Sequence, residues 1–477
     1  MQNPDYSRKW WIMSAVAMGV FLATIDGSIV NIALPSLVTE LNEPLAVVQW
    51  VVLAYLLVIT TLMLTVGRLA DMIGRKRLYL SGMAIFTIGS LLCGLSPNVY
   101  WLIGFRVLQG LGAAATQALG TAIVTDAFPP AERGKALGII GGIVSIGVIA
   151  GPTLGGLILG VLTWHWLFFV NIPVGILGLI LCWKFIPSDH AGMQQRFDFR
   201  GAAILFLTLI SFLLALTIGQ NSSFAQPIVL ILFALSALSL GGFVLAELKT
   251  ATPMIDLNLF KSWILSSNLL TGSMAFIGSA GTVLLIPFYL QNMRGFSPEK
   301  AGLLMAIIPV ASGLIAPISG SLSDRFGSRL ITSLGLALQI VGYALISGLT
   351  LTTTLPGYLL RCLPLGFGIG LFQAPNNSAI MGSARRDQLG VVSGLLSLTR
   401  TIGQTTGIAI LTATWTGFVL ALAGSLPASG ATSAPFTAQI GGFHNSLLVV
   451  IGVVSLALII SLTTTVTSAR RTTQHTT

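Results

Sequence analysis

GRLADMIGRK at residues 67–76 recurs as GSLSDRFGSR at residues 320–329, and this recurrence decides the architecture of the chain. The two stretches match at Gly67/Gly320, Leu69/Leu322, Asp71/Asp324 and Gly74/Gly327, with Lys76 opposite Arg329. Two further marks keep the register. Arg106 pairs with Arg361, each a few residues after a proline that opens an apolar run. RGKALG at 133–138 pairs with QLGVVSG at 388–394 through Gly134/Gly390 and Gly138/Gly394. The offsets are 253, 255 and 256 residues, so the chain carries two copies of one unit.

The unit is built for a membrane. Of 477 residues 54% are hydrophobic and 8% charged, where a soluble protein carries about 25% charged residues; the mean hydropathy is +0.90. Apolar runs of helix-spanning length recur from end to end, without the short alternating segments of a membrane barrel. They fall at 10–35, 46–66, 78–96, 99–125, 135–160, 165–186, 200–219, 227–247, 264–291, 299–321, 330–350, 355–380, 390–422 and 442–465, which makes fourteen. The first run is too long for the core of a signal peptide and reads as retained. Spans 1–6 and 9–14 hold the two copies, with spans 7 and 8 inserted. The expected organisation is an N-terminal six-helix bundle over 1–190, two inserted spans and linkers over 191–262, and a C-terminal six-helix bundle over 263–477. The three cysteines, Cys93, Cys182 and Cys362, fall far apart inside apolar runs, against both a disulfide framework and a zinc site.

A net charge of +10 invites a nucleic-acid reading, which its distribution excludes. With the N-terminus inside, 19 of the 24 Lys and Arg residues fall on the cytoplasmic side, Arg294 and Lys300 lie outside, and Arg106, Arg361 and Arg400 sit within spans. This is the asymmetry of a multi-pass membrane protein with both termini in the cytoplasm. Parallel halves related by an axis along the membrane normal place a substrate cavity between them. That design points to a transporter working by alternating access.

Three motifs carry the chemistry. In GRLADMIGRKR (67–77) the glycines permit a tight turn between spans 2 and 3, and Asp71 stands among Arg68, Arg75, Lys76 and Arg77. The stretch reads either as an anchor for anionic headgroups or as a latch made of Gly67, Asp71, Gly74 and Arg75 with Asp324 and Arg329 of the copy. LIGFRVLQGLGA (102–113) puts Arg106 inside span 4, with Gln109 on the same helical face. A guanidinium there needs a partner, unless it reaches the outer interface. GVIAGPTLGG (147–156) places Gly147, Gly151, Pro152, Gly155 and Gly156 in one span, a pattern for close helix contact and a hinge.

Together these motifs resemble the major facilitator superfamily, and its fourteen-span drug:proton antiporter branch in particular. GRLADMIGRKR is similar to the superfamily's loop signature, RVLQGLGAA to its span-4 motif, and SIGVIAGPTLGG to the span-5 motif of antiporters. IDGSIVNIALP (25–35) and WHWLFFVNIPVG (164–175) resemble the same branch. One departure is visible. The branch usually has Thr where Gly27 and Ser28 stand, leaving a smaller shell around Asp26. The resemblance implies an all-α major facilitator fold and efflux of hydrophobic or amphipathic drugs in exchange for protons. It also implies a multi-pass place in the bacterial cytoplasmic (inner) membrane. No cofactor, metal, enzyme activity or nucleic-acid partner is expected. The expected partners are the substrate, protons, membrane lipids and, as for some relatives, a periplasmic adaptor.

Among fourteen Asp and Glu residues, Asp26 alone lies deep in a span. Burial favours a neutral carboxyl and a nearby arginine favours a charged one, so an acid held beside Arg106 (Arg400 being the lesser candidate) can exchange protons. A permanent pair with Arg106, or a hydrogen bond to Asn31, is the alternative. One carboxylate exchanging one proton for one monovalent cation moves no net charge, which favours neutral or monocationic substrates over dications. Candidates for the cavity wall are Asn31, Gln49, Trp50, Tyr55, Gln109, Gln117, Phe276, Tyr289, Gln339, Gln373, Asn376 and Asn377. Export of a native lipid or metabolite and nutrient symport are the competing functions.

Overall fold

The computed structural model describes residues 8–129, 132–187, 199–221, 224–250, 257–383, 389–425 and 430–474, and it is all-helical. The first half comprises α1 (Lys9–Glu40), α2 (Leu45–Val48), α3 (Trp50–Ile73), α4 (Arg75–Gly94), α5 (Val99–Ala127), α6 (Arg133–Val161), α7 (Trp166–Phe169) and α8 (Asn171–Phe185). Then follow α9 (Phe199–Asn221) and α10 (Pro227–Lys249). The second half comprises α11 (Trp263–Phe288), α12 (Pro298–Met305), α13 (Ile307–Phe326), α14 (Ser328–Ser347), α15 (Leu355–Gly382), α16 (Leu389–Ala423) and α17 (Phe436–Gln474). Fourteen stretches among the described residues are long and apolar enough to cross a bilayer. A lipid-exposed backbone must satisfy its own hydrogen bonds, so each apolar run becomes a helix. Three spans begin with a short helix set off by one residue, at Gln49, Val170 and Ala306. α1 outruns the expected 10–35 and reaches Glu40 with Pro35 inside it, because neighbouring helices make an internal proline tolerable in a membrane.

The repeat is visible in the packing. α4 packs on α5 as α14 does on α15, α3 on α5 as α13 on α15, and α1 on α6 as α11 on α16. The last helices match too: α8 packs on α1 and α4, and α17 on α11 and α14. Between the halves, α6 meets α12 and α13, α3 meets α16, and α1 meets α11. α9 lies against α3 and α16, and so touches both halves, with Trp50 Nε1 donating to Thr217 Oγ1 at 3.1 Å. α10 packs on α9, and its apolar window is 17% buried, the lowest of the fourteen. Most of that helix's apolar surface is left uncovered by the protein.

The repeated motif is a helix end rather than a loop. α3 continues through Ile73, Gly74 alone breaks the helix at φ +99°, and α4 begins at Arg75. In the copy, Gly327 at φ +86° separates α13 from α14. Both angles are strained for any residue with a Cβ, which is why glycine recurs there. Gly67 falls in the α3 backbone, and the side chain of Asp71 lies outside the described residues. Arg75 pairs with Asp126 at the end of α5, in its own half, while Lys9 pairs with Glu132 at 2.6 Å. In the copy Asp324 is exposed, and Arg329 lines a hollow of about 620 Å³ with Asn268, Ser378 and Ser383.

The glycine-rich span divides its small residues between two neighbours. A Cβ added at Gly147, Gly151 or Gly155 would meet Thr24, Ser28 or Ile29 and Ile32, so this i, i+4, i+8 row lies on α1. Gly156 faces the other half instead. A Cβ there would stand 2.4 Å from the Pro298 carbonyl oxygen, and one on Gly302 would stand 2.3 Å from that of Pro152. Close by, Gln291 Nε2 in a π-helical turn (Tyr289–Met293) donates to Ile32 O at 2.9 Å, a hydrogen bond across the halves. Ser28 donates to Gly147 O at 3.1 Å. Its small size therefore serves the α1–α6 contact rather than the shell of Asp26.

Candidate functional site

Asp26 sits near the middle of α1 and Arg106 one-quarter of the way along α5, and neither has any exposed surface. Arg106 therefore does not reach out of the protein; its guanidinium is enclosed by the bundle. Arg106 Nη1 and Asp26 Oδ2 form an ion pair. The other carboxylate oxygen accepts from Gln109 Nε2 at 2.9 Å and from Asn171 Nδ2 at 3.0 Å. Arg106 is anchored in turn: Nε donates to Val51 O at 2.7 Å and Nη1 to Gln109 Oε1 at 2.7 Å. Its guanidinium lies 4.0 Å from the centroid of the Tyr55 ring, whose hydroxyl donates to Ala23 O at 3.0 Å. Ser90 Oγ accepts from Gln109 and Asn171 at 3.2 and 3.0 Å and donates to Phe168 O at 2.9 Å.

Glycines let this cluster close. Gly89 of α4 has no room for a Cβ, which would lie 2.8 Å from the Gln109 backbone, so α4 touches α5 beside that amide. Gly110 similarly admits α3, where a Cβ would stand 3.0 Å from Tyr55 O. Five elements therefore converge: α1 gives Asp26, α3 Tyr55, α4 Ser90, α5 Arg106 and Gln109, and α8 Asn171. A buried ion pair roughly breaks even against an apolar replacement, yet losing one partner costs about 3–5 kcal/mol. Stability does not explain why such a pair stands in an apolar span.

The other residues of interest separate into groups. Gln109 and Tyr55 belong to the ion-pair cluster instead of a cavity wall, because the guanidinium supplies a stronger partner than open space. Gln49 is buried at the α2–α3 break and donates to Ala46 O at 3.2 Å. Tyr289 is also buried, donating to Thr350 O at 2.8 Å between the rings of Tyr358 and Phe443. Asn31 is half-buried and bonds the Gly27 carbonyl at 3.3 Å, not Asp26. Phe276, Gln339 and Gln373 line a cavity of about 10 Å³ with Ser279, where Gln339 Oε1 lacks a protein partner; such a space holds one water. Trp50 and Gln117 are half-buried, Asn376 is buried and Asn377 exposed. Asp26 is not unique in burial alone, since Glu247 is 3% exposed near the end of α10. Sequence reasoning missed Ser90 and Asn171. The available signal was Asn171 inside the apolar stretch WHWLFFVNIPVG.

Comparisons with known proteins agree with this architecture. The chain is 38% identical over 409 residues to the riboflavin transporter RibZ of Clostridioides difficile, covering 84% of this chain and 87% of that one. It is 33% identical over 405 residues to the multidrug resistance protein Stp of Mycobacterium tuberculosis, covering 83% and 74%. Among solved structures, a bacterial homologue of the human lysosomal transporter Spinster, inward-facing and unoccupied, superposes with TM-score 0.69. That likeness, at 16% identity over 96% of this chain and 97% of that one, is one of fold. These proteins are transporters and not enzymes. Residues 16–408 match the model of the Major Facilitator Superfamily, and with its paired bundles and fourteen spans the chain belongs to that superfamily.

Proposed function

We propose that the chain is a proton-coupled exporter of neutral or monocationic amphipathic compounds, working by alternating access in the plasma membrane with both termini in the cytoplasm. The observation that carries this reading is the Asp26–Arg106 pair, an acid near the middle of its span joined to a guanidinium, neither with any exposed surface. Inward protons bind Asp26 from the outer side, and substrate leaves in exchange. Exchange of one proton for one monocation is electroneutral, and so draws on the pH gradient and not on the roughly 2.3 kcal/mol per charge that 100 mV supplies. The similarity to Stp supports a drug-like substrate.

Everted vesicles test the proposal. An acid interior should drive uptake of monocationic and neutral dyes with proton release, and dications should lag. Asp26→Asn should lose the response to the pH gradient while retaining downhill exchange. Unchanged proton-driven uptake in that variant would sink the reading and leave a permanent structural pair in its place. A second reading follows from the similarity to RibZ, that a neutral aromatic metabolite such as riboflavin is the substrate. Riboflavin included in the same panel decides between them, and the direction in which an imposed gradient drives it separates antiport from symport.

A further inference from the structure

We infer that Asn171 is a positioning residue of the proton site, and that it is the donor that withdraws when Asp26 takes up a proton. The inference rests on the proton-coupling reading of Asp26 given above. Every side-chain group facing the carboxylate is a donor: Arg106 Nη1 on Oδ2, Gln109 Nε2 and Asn171 Nδ2 on Oδ1. A negative charge turns both amides with their NH₂ groups inward. A protonated carboxyl is itself a donor and needs an acceptor, whereas all three groups bonded to the carboxylate present a donor to it. Protonation therefore asks one of the three to turn its donor away.

The three are not equally held. Arg106 is fixed by Val51 O and Gln109 Oε1 and stacked on Tyr55. Gln109 is fixed through both ends of its amide, by Ser90 on one side and by Arg106 and Cys93 on the other. Asn171 has Ser90 as its other partner, and it is the first residue of α8, immediately after the break at Val170. Ser90 also donates to Phe168 O on the far side of that break. The α7–α8 junction is thus tied to α1 and α4 through this one amide and one hydroxyl. The other ionisable groups beside the carboxylate are Tyr55 of α3 and Cys93 of α4, both buried; α6 presents Gly147 and Gly151 to α1.

The test is the pH profile of substrate exchange in proteoliposomes holding the full chain, with a monocationic dye as probe. Asn171→Ala and the nearly isosteric Asn171→Leu both remove a donor to the charged form without adding a charge. Each should move the profile toward alkaline pH by about one unit, the scale of one charge-assisted hydrogen bond, whatever the plateau rate. Asn171→Leu nearly preserves volume and supplies the answer if the alanine variant does not fold, and the reverse holds equally. A lowered plateau with an unmoved profile would show a purely structural residue and overturn the inference. Asp26→Asn serves as the reference. If it keeps a pH-dependent profile, the proton-coupling reading fails; if it loses it while the Asn171 profiles stay with wild type, only the present inference fails.

Discussion

Replacing Gly156 by alanine adds one methyl group to the seam between the halves, and the structure fixes what that methyl meets. Its carbon would lie 2.4 Å from Pro298 O and 3.1 Å from the Cα of Gly302, both on α12. Carbon–oxygen contacts in proteins settle at about 3.3–3.6 Å, so α6 and α12 have to part by roughly 1 Å. Neither obstructing atom is a flexible side chain. Overpacking of this kind costs about 1–3 kcal/mol. The cost falls on the conformation in which α6 and α12 touch, which shifts the conformational equilibrium away from it by about 5- to 150-fold. Alkylation of a cysteine introduced at Asn31 by an impermeant reagent reads that shift from the outer side, and the buried native Cys93, Cys182 and Cys362 give little background. Gly142→Ala, on the same helix with nothing within 4 Å, is the control. Labelling should accelerate in Gly156→Ala and in Gly302→Ala, without adding in the double variant, because both methyl groups enter one contact. Equal rates in Gly156→Ala and the control, with both proteins folded, would refute the argument.

Arg106→Lys keeps a charge but loses the Nε bond to Val51 O and the planar stack on Tyr55; it should lower stability by about 2–3 kcal/mol, read as a fall in the melting temperature of the detergent-solubilised protein. Gln291→Ala removes the hydrogen bond to Ile32 O across the halves and should speed opening by about 2- to 12-fold, equivalent to 0.5–1.5 kcal/mol, measured by the same alkylation assay. Burial pushes the His165 imidazole below its ordinary value, opposed by the charge of Glu40. The folded state therefore binds its proton less readily than the unfolded chain, and stability declines as pH falls through about 6.5. His165→Gln should flatten that acid-side decline in a melting series between pH 7.5 and 5, by a small amount because the ring is partly solvated.

The fourteen spans and the internal repeat were legible because both rest on long, redundant patterns, such as Asp71/Asp324 and Gly74/Gly327 at one offset. Asp26 and Arg106 were legible because a charge in an apolar run has few explanations. Their contact is 80 residues distant in sequence, and only packing supplies it. The neutral amides resisted assignment. Gln109, Gln49 and Asn31 are chemically alike, yet they meet a guanidinium, a helix break and their own backbone respectively. Which partner an amide finds depends on helix rotation, which a hydropathy pattern leaves undetermined. The same limit hid the division of the glycine-rich span, where Gly155 and Gly156 are adjacent in sequence and face different halves of the molecule.

The inserted helices make the two sides of the molecule inequivalent. The repeat relates the meeting of α3 with α16 to the meeting of α12 and α13 with α6, yet α9 covers only the first of these. A solute dissolved in the bilayer and moving sideways toward the centre encounters a third helix at one flank and a bare two-helix joint at the other. Among the described helices, the flank where Gly156 and Gly302 touch is thus the one that no inserted helix covers. In the alternating-access cycle proposed above, α9, which touches α3 and α16, would have to slide on one of them at every turnover, so the insert would act as a bearing on which one half swings.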